Sequence, residues 1–236
     1  MKILFAFFIL INCPFAIASK TLVVGVHPGL TFPDYKVVNG KPVGIIPSLI
    51  NPFAEKEGYK VKYKMVPRKR LDKLITSGEV HIRCLCSKNW ISRPGDFHWR
   101  KLLFQEESNF VRRVDGKEIS QFSDLKGLAV AGILGFIYGP ELTAMIEKGE
   151  VERSDVINVK NLISMVTKKR TDVAVESKRV LKHLLKNEKE LVITQLVQGR
   201  EEHHCLFTKK LNKDLVDKFN DFYSDEKLLQ VMDQYL

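Results

Sequence analysis

Residues 81–99 of the chain read HIRCLCSKNWISRPGDFHW, a short apolar strand followed by a loop with two Trp, one Arg, a Pro and a Gly. Trp90 and Arg93 lie just past the strand, three residues apart. A Trp ring offers a flat apolar face, and a guanidinium is a planar, permanently charged fork that matches a carboxylate. Because binding groups concentrate in loops at strand ends, we predict that both side chains contact a ligand. The alternative is that Trp90 caps the core and Arg93 is a solvated cation.

The segments on both sides of this stretch alternate between strand and helix patterns. Upstream of the strand that starts at residue 80, the apolar spacing predicts strands and helices at 21–26, 44–58, 61–66 and 68–77. Downstream, a connector at 102–113 leads to strands and helices at 128–133, 141–148, 161–169, 171–176, 180–186, 191–197, 204–207, 211–223 and 225–235. This alternation predicts an α/β fold in two units, each built on a mostly parallel sheet.

The N-terminus has the pattern of a secretory signal peptide. Lys2 precedes nine apolar residues at 3–11, and Ala16-Ile17-Ala18 forms a small-x-small cleavage site. The apolar run is too short to span a membrane. We therefore predict that residues 1–18 are a signal peptide and that the protein is exported. The alternative is lipid anchoring at Cys13, because residues 10–13 resemble a lipobox.

Composition and charge favour a globular protein that binds a small molecule. The chain has 236 residues, of which 44% are hydrophobic and 28% charged, and its formal charge is +10. These values fit one or two ordinary domains with a sizeable core. The Lys and Arg residues are spread along the chain, and no nucleic-acid-binding motif is present. An anionic small ligand or simple solvation of the charges is therefore favoured over nucleic acid as a partner.

Three Cys remain after removal of the signal peptide, which predicts one disulfide and one free thiol in an oxidising compartment. Cys84 and Cys86 are predicted to share one face of a strand, so a bridge between them would be strained. Cys205 is the better partner for either, provided that the two strands are neighbours. A metal site is the alternative, but the spacing of the available ligands matches no zinc motif: His81, Cys84, Cys86, His203, His204 and Cys205. The sequence also lacks P-loop, Gly-x-Ser-x-Gly and His-Glu-x-x-His motifs, and we predict no metal and no cofactor.

An ordered series of short motifs resembles the family 3 extracellular solute-binding proteins, the amino-acid-binding receptors of ABC transporters. The similar stretches are LVVGV-x-PGLTFPDY (22–35), NGKPVGIIPSLI (39–50), RLDKLITSGEVHIRC (70–84), SDLKGLAVAGILGFIYG (123–139), TDVAVES (171–177) and DEKLLQVMDQYL (225–236). The resemblance covers nearly the whole mature chain. It implies a type II, Venus-flytrap fold, with two α/β lobes joined by two hinge strands. Lobe 1 would comprise residues 19–107 and 201–236, and lobe 2 residues 108–200.

The resemblance also implies roles for individual residues. Arg93 falls where the family places the Arg that holds the ligand's α-carboxylate. Phe32 and Tyr35 fall in the loop that supplies a ring against the ligand. Glu176 falls near the acid that takes the α-ammonium, although aligning it needs a shift of one residue. The chain departs from the family at residues 44–47, which read Gly-Ile-Ile-Pro where transport receptors often carry Gly-Phe-Asp; this weakens the case for a standard amino acid.

Other candidates come from the residues themselves, each with a structural alternative. Gly135 and Tyr138 precede a helix, so backbone N–H groups there could receive an anion and the Tyr could add a hydroxyl. The same loop is also an ordinary strand-to-helix turn. Arg70 begins a helix face and could reach the cleft. Phe32 could equally be a core residue, and Glu176 could be solvated.

The predicted function is therefore that of a periplasmic solute-binding protein. We expect a monomer that captures a small polar ligand, amino-acid-like or a carboxylate, and works with an inner-membrane ABC permease or a membrane sensor. Two alternatives stay open. One is an enzyme on the same scaffold, such as a dehydratase with Glu176 as general acid. The other is a degenerate lobe pair that binds a protein, which a cleft filled by side chains would favour.

Overall fold

The structure is a computed structural model that describes residues 20–235. The predicted signal peptide at 1–18 and the lipidation alternative at Cys13 lie outside the described residues. Within residues 20–235, no helix combines the length and apolar character that crossing a membrane would require.

The strands are, in chain order, β1 (Lys20–Val26), β2 (Lys36–Val38), β3 (Lys41–Val43), β4 (Tyr59–Met65), β5 (Ile82–Cys86), β6 (Phe97–Trp99), β7 (Phe104–Arg113), β8 (Ala129–Ile133), β9 (Glu152–Val156), β10 (Val173–Ser177) and β11 (Leu191–Thr208). The helices are α1 (Ile45–Lys56), α2 (Arg68–Ser77), α3 (Pro140–Glu147), α4 (Val159–Thr167), α5 (Lys178–Leu184), α6 (Lys213–Phe222) and α7 (Asp225–Asp233).

One large sheet, in the order β4-β1-β5-β11-β7-β10-β8-β9, runs through both halves of the molecule. In the first half β4, β1 and β5 are parallel, and in the second half β10, β8 and β9 are parallel. β7 and β11 lie antiparallel between the two groups. The predicted fold class, two α/β units with mostly parallel strands, is confirmed.

Helices cover both faces of the sheet in each half. In the first half, α1, α6 and α7 pack on one face and α2 on the other. In the second half, α4 and α5 pack on one face and α3 on the other. Each helix buries an apolar stripe, as Ile46, Leu49, Ile50 and Phe53 of α1 show. The molecule therefore has separate cores in its two halves.

β7 and β11 form a long ribbon that connects the halves. The sequence predicted a connector at 102–113 and two separate strands at 191–197 and 204–207, whereas the structure has β7 and one continuous β11 of 18 residues. The polar residues between the two predicted strands pair with β7, so backbone hydrogen bonds rather than burial extend the strand. The predicted lobe boundaries coincide with the cross-strand pair Arg200 and Glu107. Those boundaries stay a prediction.

A disulfide joins Cys84 of β5 to Cys205 of β11, and Cys86 is a buried free thiol. The expectation that Cys84 and Cys86 share one face of the strand is wrong. Leu85 has a φ of 56°, which interrupts the alternation of β5. Cys84 therefore lies in the core beside α1, while Cys86 lies in the core beside α2. The bridge also takes up two of the six residues considered as metal ligands.

Candidate functional site

A cavity lies between the two halves, at the carboxyl ends of the parallel strands. The first half contributes His27, directly after β1, and Arg83 of β5, while the second contributes Glu176 of β10. The cavity volume is about 70 Å³, which is room for several water molecules or one small solute. Ligands of open α/β sheets bind at this position, outside the carboxyl ends of the strands.

Four buried polar atoms of cavity-lining residues have no hydrogen-bond partner within residues 20–235: His27 Nδ1, Glu176 Oε2, Gln198 Nε2 and His203 Nδ1. Buried polar groups in folded proteins are nearly always hydrogen-bonded, because an unpaired one costs free energy. The lining therefore offers both acceptors and donors to a polar molecule in the cavity.

The two cavity histidines are held neutral. Burial lowers the pKa of His27 well below its usual value, and nearby Arg83 and Arg68 lower it further. Burial, followed by the charge of Arg179, lowers the pKa of His203 to about 3. Each ring then presents one donor and one acceptor nitrogen at physiological pH.

Two guanidinium groups give the first half of the cavity a surplus of positive charge. Arg83 Nη1 lies 2.7 Å from Asp72 Oδ1, and Arg68 Nη1 lies 3.9 Å from the same oxygen. The two cations thus share one carboxylate, which is itself partly exposed. Burial, and then repulsion from Arg83, lowers the pKa of Arg68 to about 10. An additional anion, such as a ligand carboxylate, would relieve this repulsion.

Glu176 places a buried carboxyl group on the opposite half. Its Oε1 accepts a hydrogen bond from the Ser177 N–H at 2.8 Å, and only 8% of the residue is exposed. Burial, with smaller contributions from the charges of Asp34 and Glu106, raises the pKa of Glu176 to about 8. The carboxyl therefore retains its proton at neutral pH when no cation is near. A ligand ammonium beside it would favour the ionised form.

A third Arg of the cavity is already paired with carboxylates. Arg179, the second residue of α5, contacts Asp34 Oδ1 through Nη1. Its Nε and Nη2 donate to Glu106 Oε2 at 2.9 and 2.6 Å. Burial disfavours the charged guanidinium, but the two carboxylates outweigh this and raise the pKa of Arg179. Because Asp34 follows β1 and Arg179 follows β10, this ion pair joins the two halves across the cavity.

Three of the eight predicted site residues line the cavity: Trp90, Tyr138 and Glu176. The Trp90 ring packs edge-on against His203, with the ring centres 5.4 Å apart. The Tyr138 hydroxyl accepts the N–H of Ile133 at 2.9 Å, so it holds the loop after β8 in place as well as lining the cavity.

Arg93 lies outside the lining of this cavity. Its side chain is 76% exposed, and its Nε lies 3.1 Å from Asp96 Oδ2. Two short 3₁₀ turns, Lys88–Trp90 and Pro94–Asp96, shape the loop. They bring Trp90 to the cavity, whereas Arg93 precedes the second turn and pairs with the acid inside it.

The other four predicted residues also lie outside the cavity lining. Phe32 packs against the rings of His183 and Tyr235, at 4.6 and 5.8 Å between ring centres. Tyr35 is buried in the first core, beside Tyr63. Arg70 is exposed to solvent. Gly135 takes a φ of 84° in its turn, and the following residue, Phe136, lines the cavity in its place.

Sequence reasoning missed Arg68, Arg83, Arg179, Asp34 and Glu106. For Arg83 there was a signal, since a charged residue within an otherwise apolar strand needs a buried partner or a ligand. Arg179 carried a weaker signal, because it lies two residues past the end of β10. Glu106 lies in what the sequence presents as a connector, and only the strand pairing of β7 shows that it faces the cavity.

Comparison with known proteins places this geometry in a familiar scaffold. No protein-family model matches the chain, and no characterised protein sequence is similar enough to count as a relative. Among solved structures, the chain is similar to the substrate-binding protein of an amino acid ABC transporter, with a TM-score of 0.75, 22% identity, and 92% of this chain and 99% of that chain covered. It is also similar to an ancestral arginine-binding protein bound to arginine, with a TM-score of 0.78, 21% identity, and coverages of 92% and 98%.

A third similar structure is the amino acid ABC transporter substrate-binding protein AbpA from Streptococcus pneumoniae bound to L-arginine, with a TM-score of 0.75, 17% identity, and coverages of 91% and 94%. The two-lobe architecture expected from the sequence resemblance is therefore confirmed. The chain has the fold of the amino acid ABC transporter substrate-binding proteins.

Proposed function

We propose that the protein is an extracytoplasmic solute-binding protein whose two lobes close on a small zwitterion, an amino acid or a close analogue. One observation carries the proposal. One cavity receives surplus positive charge from one lobe, through Arg68 and Arg83, and a carboxyl group from the other, Glu176, whose Oε2 has no hydrogen-bond partner among residues 20–235.

In this proposal the ligand carboxylate lies against Arg83 and Arg68, and the ligand ammonium lies against Glu176. Trp90 and Phe136 supply apolar walls for the carbon skeleton. Neither lobe alone satisfies both charges of the ligand. Binding therefore shifts the population towards the closed arrangement, in which both sets of contacts exist together.

The fold supports the assignment, because the similar structures described above are substrate-binding proteins rather than enzymes. We extend the proposal to the whole receptor: cleavage of residues 1–18, a periplasmic location, and action as a monomer with an ABC permease or a membrane sensor. Lobe 1 would comprise residues 19–107 and 201–236, and lobe 2 residues 108–200.

The test is a thermal-shift and calorimetry panel on the mature protein. The panel contains small neutral L-amino acids, the matching amines without the carboxylate, and the matching acids without the ammonium. We expect the zwitterions to raise the melting temperature and the analogues that lack either charge to do so much less, because a ligand that binds only the native state stabilises it by mass action.

Two matched variants locate the anchor. Arg83→Gln should weaken zwitterion binding by about 2–5 kcal/mol, since it removes one partner of a buried charge pair. Arg93→Gln, an identical change at the exposed Arg outside the cavity, should leave binding unchanged. Absence of any ligand in the panel for the folded protein would refute the proposal. Loss of binding in Arg93→Gln but not in Arg83→Gln would refute the assigned anchor.

A further inference from the structure

The surroundings of Arg179 form a complete guanidinium-binding site. Asp34 and Glu106 contact the group from two sides, and the Phe104 ring lies 5.3 Å from its central carbon. Two carboxylates and an aromatic face satisfy both the directional N–H groups and the flat surface of a guanidinium. All three charged side chains are close to fully buried.

The two carboxylates are held in position by the backbone around them. The N–H of Asp34 donates to Thr31 O at 2.8 Å, and its carbonyl accepts the N–H of Ile46 at 3.0 Å. A Cβ at Gly44 would lie 2.8 Å from Asp34 O, so the absence of a side chain there permits this packing. Glu106 belongs to β7 and pairs in register with Glu201 of β11. The backbone that carries both carboxylates is thus held by contacts that do not involve Arg179.

This site is continuous with the proposed ligand cavity, because Asp34, Glu106 and Arg179 all line it. With Arg179 in place both carboxylates already have a guanidinium partner, and the space between them is filled. A ligand whose side chain carries a cation would therefore meet a guanidinium where it needs a carboxylate, and it would find that space occupied. A neutral side chain meets neither obstacle.

We infer that Arg179 is a specificity-determining residue that fills a guanidinium subsite of the ligand cavity and thereby excludes ligands with a cationic side chain. The inference rests on the proposed function in so far as the cavity binds zwitterions. It narrows that function to zwitterions with neutral side chains.

The test removes the internal guanidinium and supplies an external one. Wild type and Arg179→Ala are titrated with methylguanidinium and with L-arginine at constant ionic strength, followed by thermal shift and calorimetry. We expect Arg179→Ala to bind both probes saturably and at least about tenfold more tightly than wild type, since the substitution vacates the space between the two carboxylates and leaves them without a guanidinium partner. Arg200→Ala is the matched control, because Arg200 pairs with Glu107 on the same ribbon but lies outside this cavity; it should gain no binding.

Two double variants test whether the gained binding depends on the carboxylates of the subsite. Arg179→Ala combined with Asp34→Asn removes one wall of the subsite and should lose most of the gained affinity. If Arg179→Ala folds only when methylguanidinium is present, that dependence itself supports the inference. The titrations are then made with Arg179→Ala combined with Glu106→Gln, which leaves Asp34 as the one carboxylate of the subsite. A folded Arg179→Ala without guanidinium binding, or a wild type that binds L-arginine as tightly as neutral amino acids, would overturn it.

The outcomes separate the inference from the proposed function. If wild type binds no zwitterion but Arg179→Ala gains methylguanidinium, the subsite is real and the proposed function fails. If wild type binds neutral amino acids and Arg179→Ala gains nothing, the proposed function stands and the role of Arg179 is refuted.

Discussion

Replacing Glu176 by Gln should stabilise the ligand-free protein at neutral pH. Folding raises the pKa of this buried carboxyl from its ordinary value of 4.5 to about 8, so the folded state favours the protonated form. The stabilisation from that proton is complete below the unfolded pKa and is lost as the pH rises towards 8. Between the unfolded pKa of 4.5 and pH 7 lie about 2.5 pH units, over which the free energy of unfolding falls by roughly 3 kcal/mol. A Gln at this position resembles the protonated acid and suffers no such loss.

The assay is thermal unfolding of wild type and Glu176→Gln at pH 5, 6, 7 and 8 without ligand. For a chain of this size, about 3 kcal/mol corresponds to a melting temperature higher by roughly 6–12 °C at pH 7. The difference should be small at pH 5 and should grow through pH 7 to 8. Glu118→Gln, the same change at an exposed acid of the same half, is the control and should show no pH-dependent difference. A difference between wild type and Glu176→Gln that is flat with pH, or a less stable Glu176→Gln at pH 7, would refute the reasoning.

Three more predictions concern ligand binding at Glu176, the disulfide and a closely packed glycine. A ligand ammonium requires ionised Glu176, so the affinity for a zwitterion should fall by about tenfold per pH unit below pH 8. Isothermal calorimetry should record proton release on binding, and a constant affinity from pH 6 to 8 would contradict this. Replacing Cys84 and Cys205 together by Ala opens a bridge between residues 121 apart and should lower the free energy of unfolding by about 4–5 kcal/mol, measured by urea denaturation against a Cys86→Ala control. Gly132→Ala should destabilise by about 1–3 kcal/mol, because the new Cβ would lie 2.6 Å from the Tyr138 hydroxyl; unchanged thermal unfolding would show that Tyr138 can move away.

Most of the architecture could be predicted because periodic burial leaves a trace in the sequence. The apolar spacing of α1 and the uninterrupted apolar run of β1 both indicate their elements directly. β9 was missed because its sequence, Glu-Arg-Ser-Asp-Val, is almost entirely polar. Within residues 20–235 it forms an edge strand paired with β8 alone, so backbone hydrogen bonds rather than a buried face determine it.

The site was harder to predict, because it depends on where loops direct their side chains. Glu176 lies at the end of a recognisable strand, and Trp90 lies in the first turn after another, so sequence position was sufficient to predict that both lie at the end of the sheet where the cavity is. Arg93 looked equivalent to Trp90, but its pairing with Asp96 is a local contact that no periodicity signals. The ion pair between Asp34 and Arg179 joins residues that are 145 apart in the chain, so it can be recognised only in the folded structure.

The Cys84–Cys205 bridge and the late position of β11 bear on the order in which the molecule can fold. The second half is a contiguous stretch of chain, so its core can form as soon as its last strand is available. The first half lacks a sheet strand, two helices and one of its bridged sulfurs until the final portion of the chain arrives. Contacts between distant parts of a chain form late, since closing long loops is slow. A nascent chain stalled near residue 200 would therefore hold one finished half beside an open sheet edge, and the Cys84–Cys205 bridge could form only after the final portion of the chain arrives.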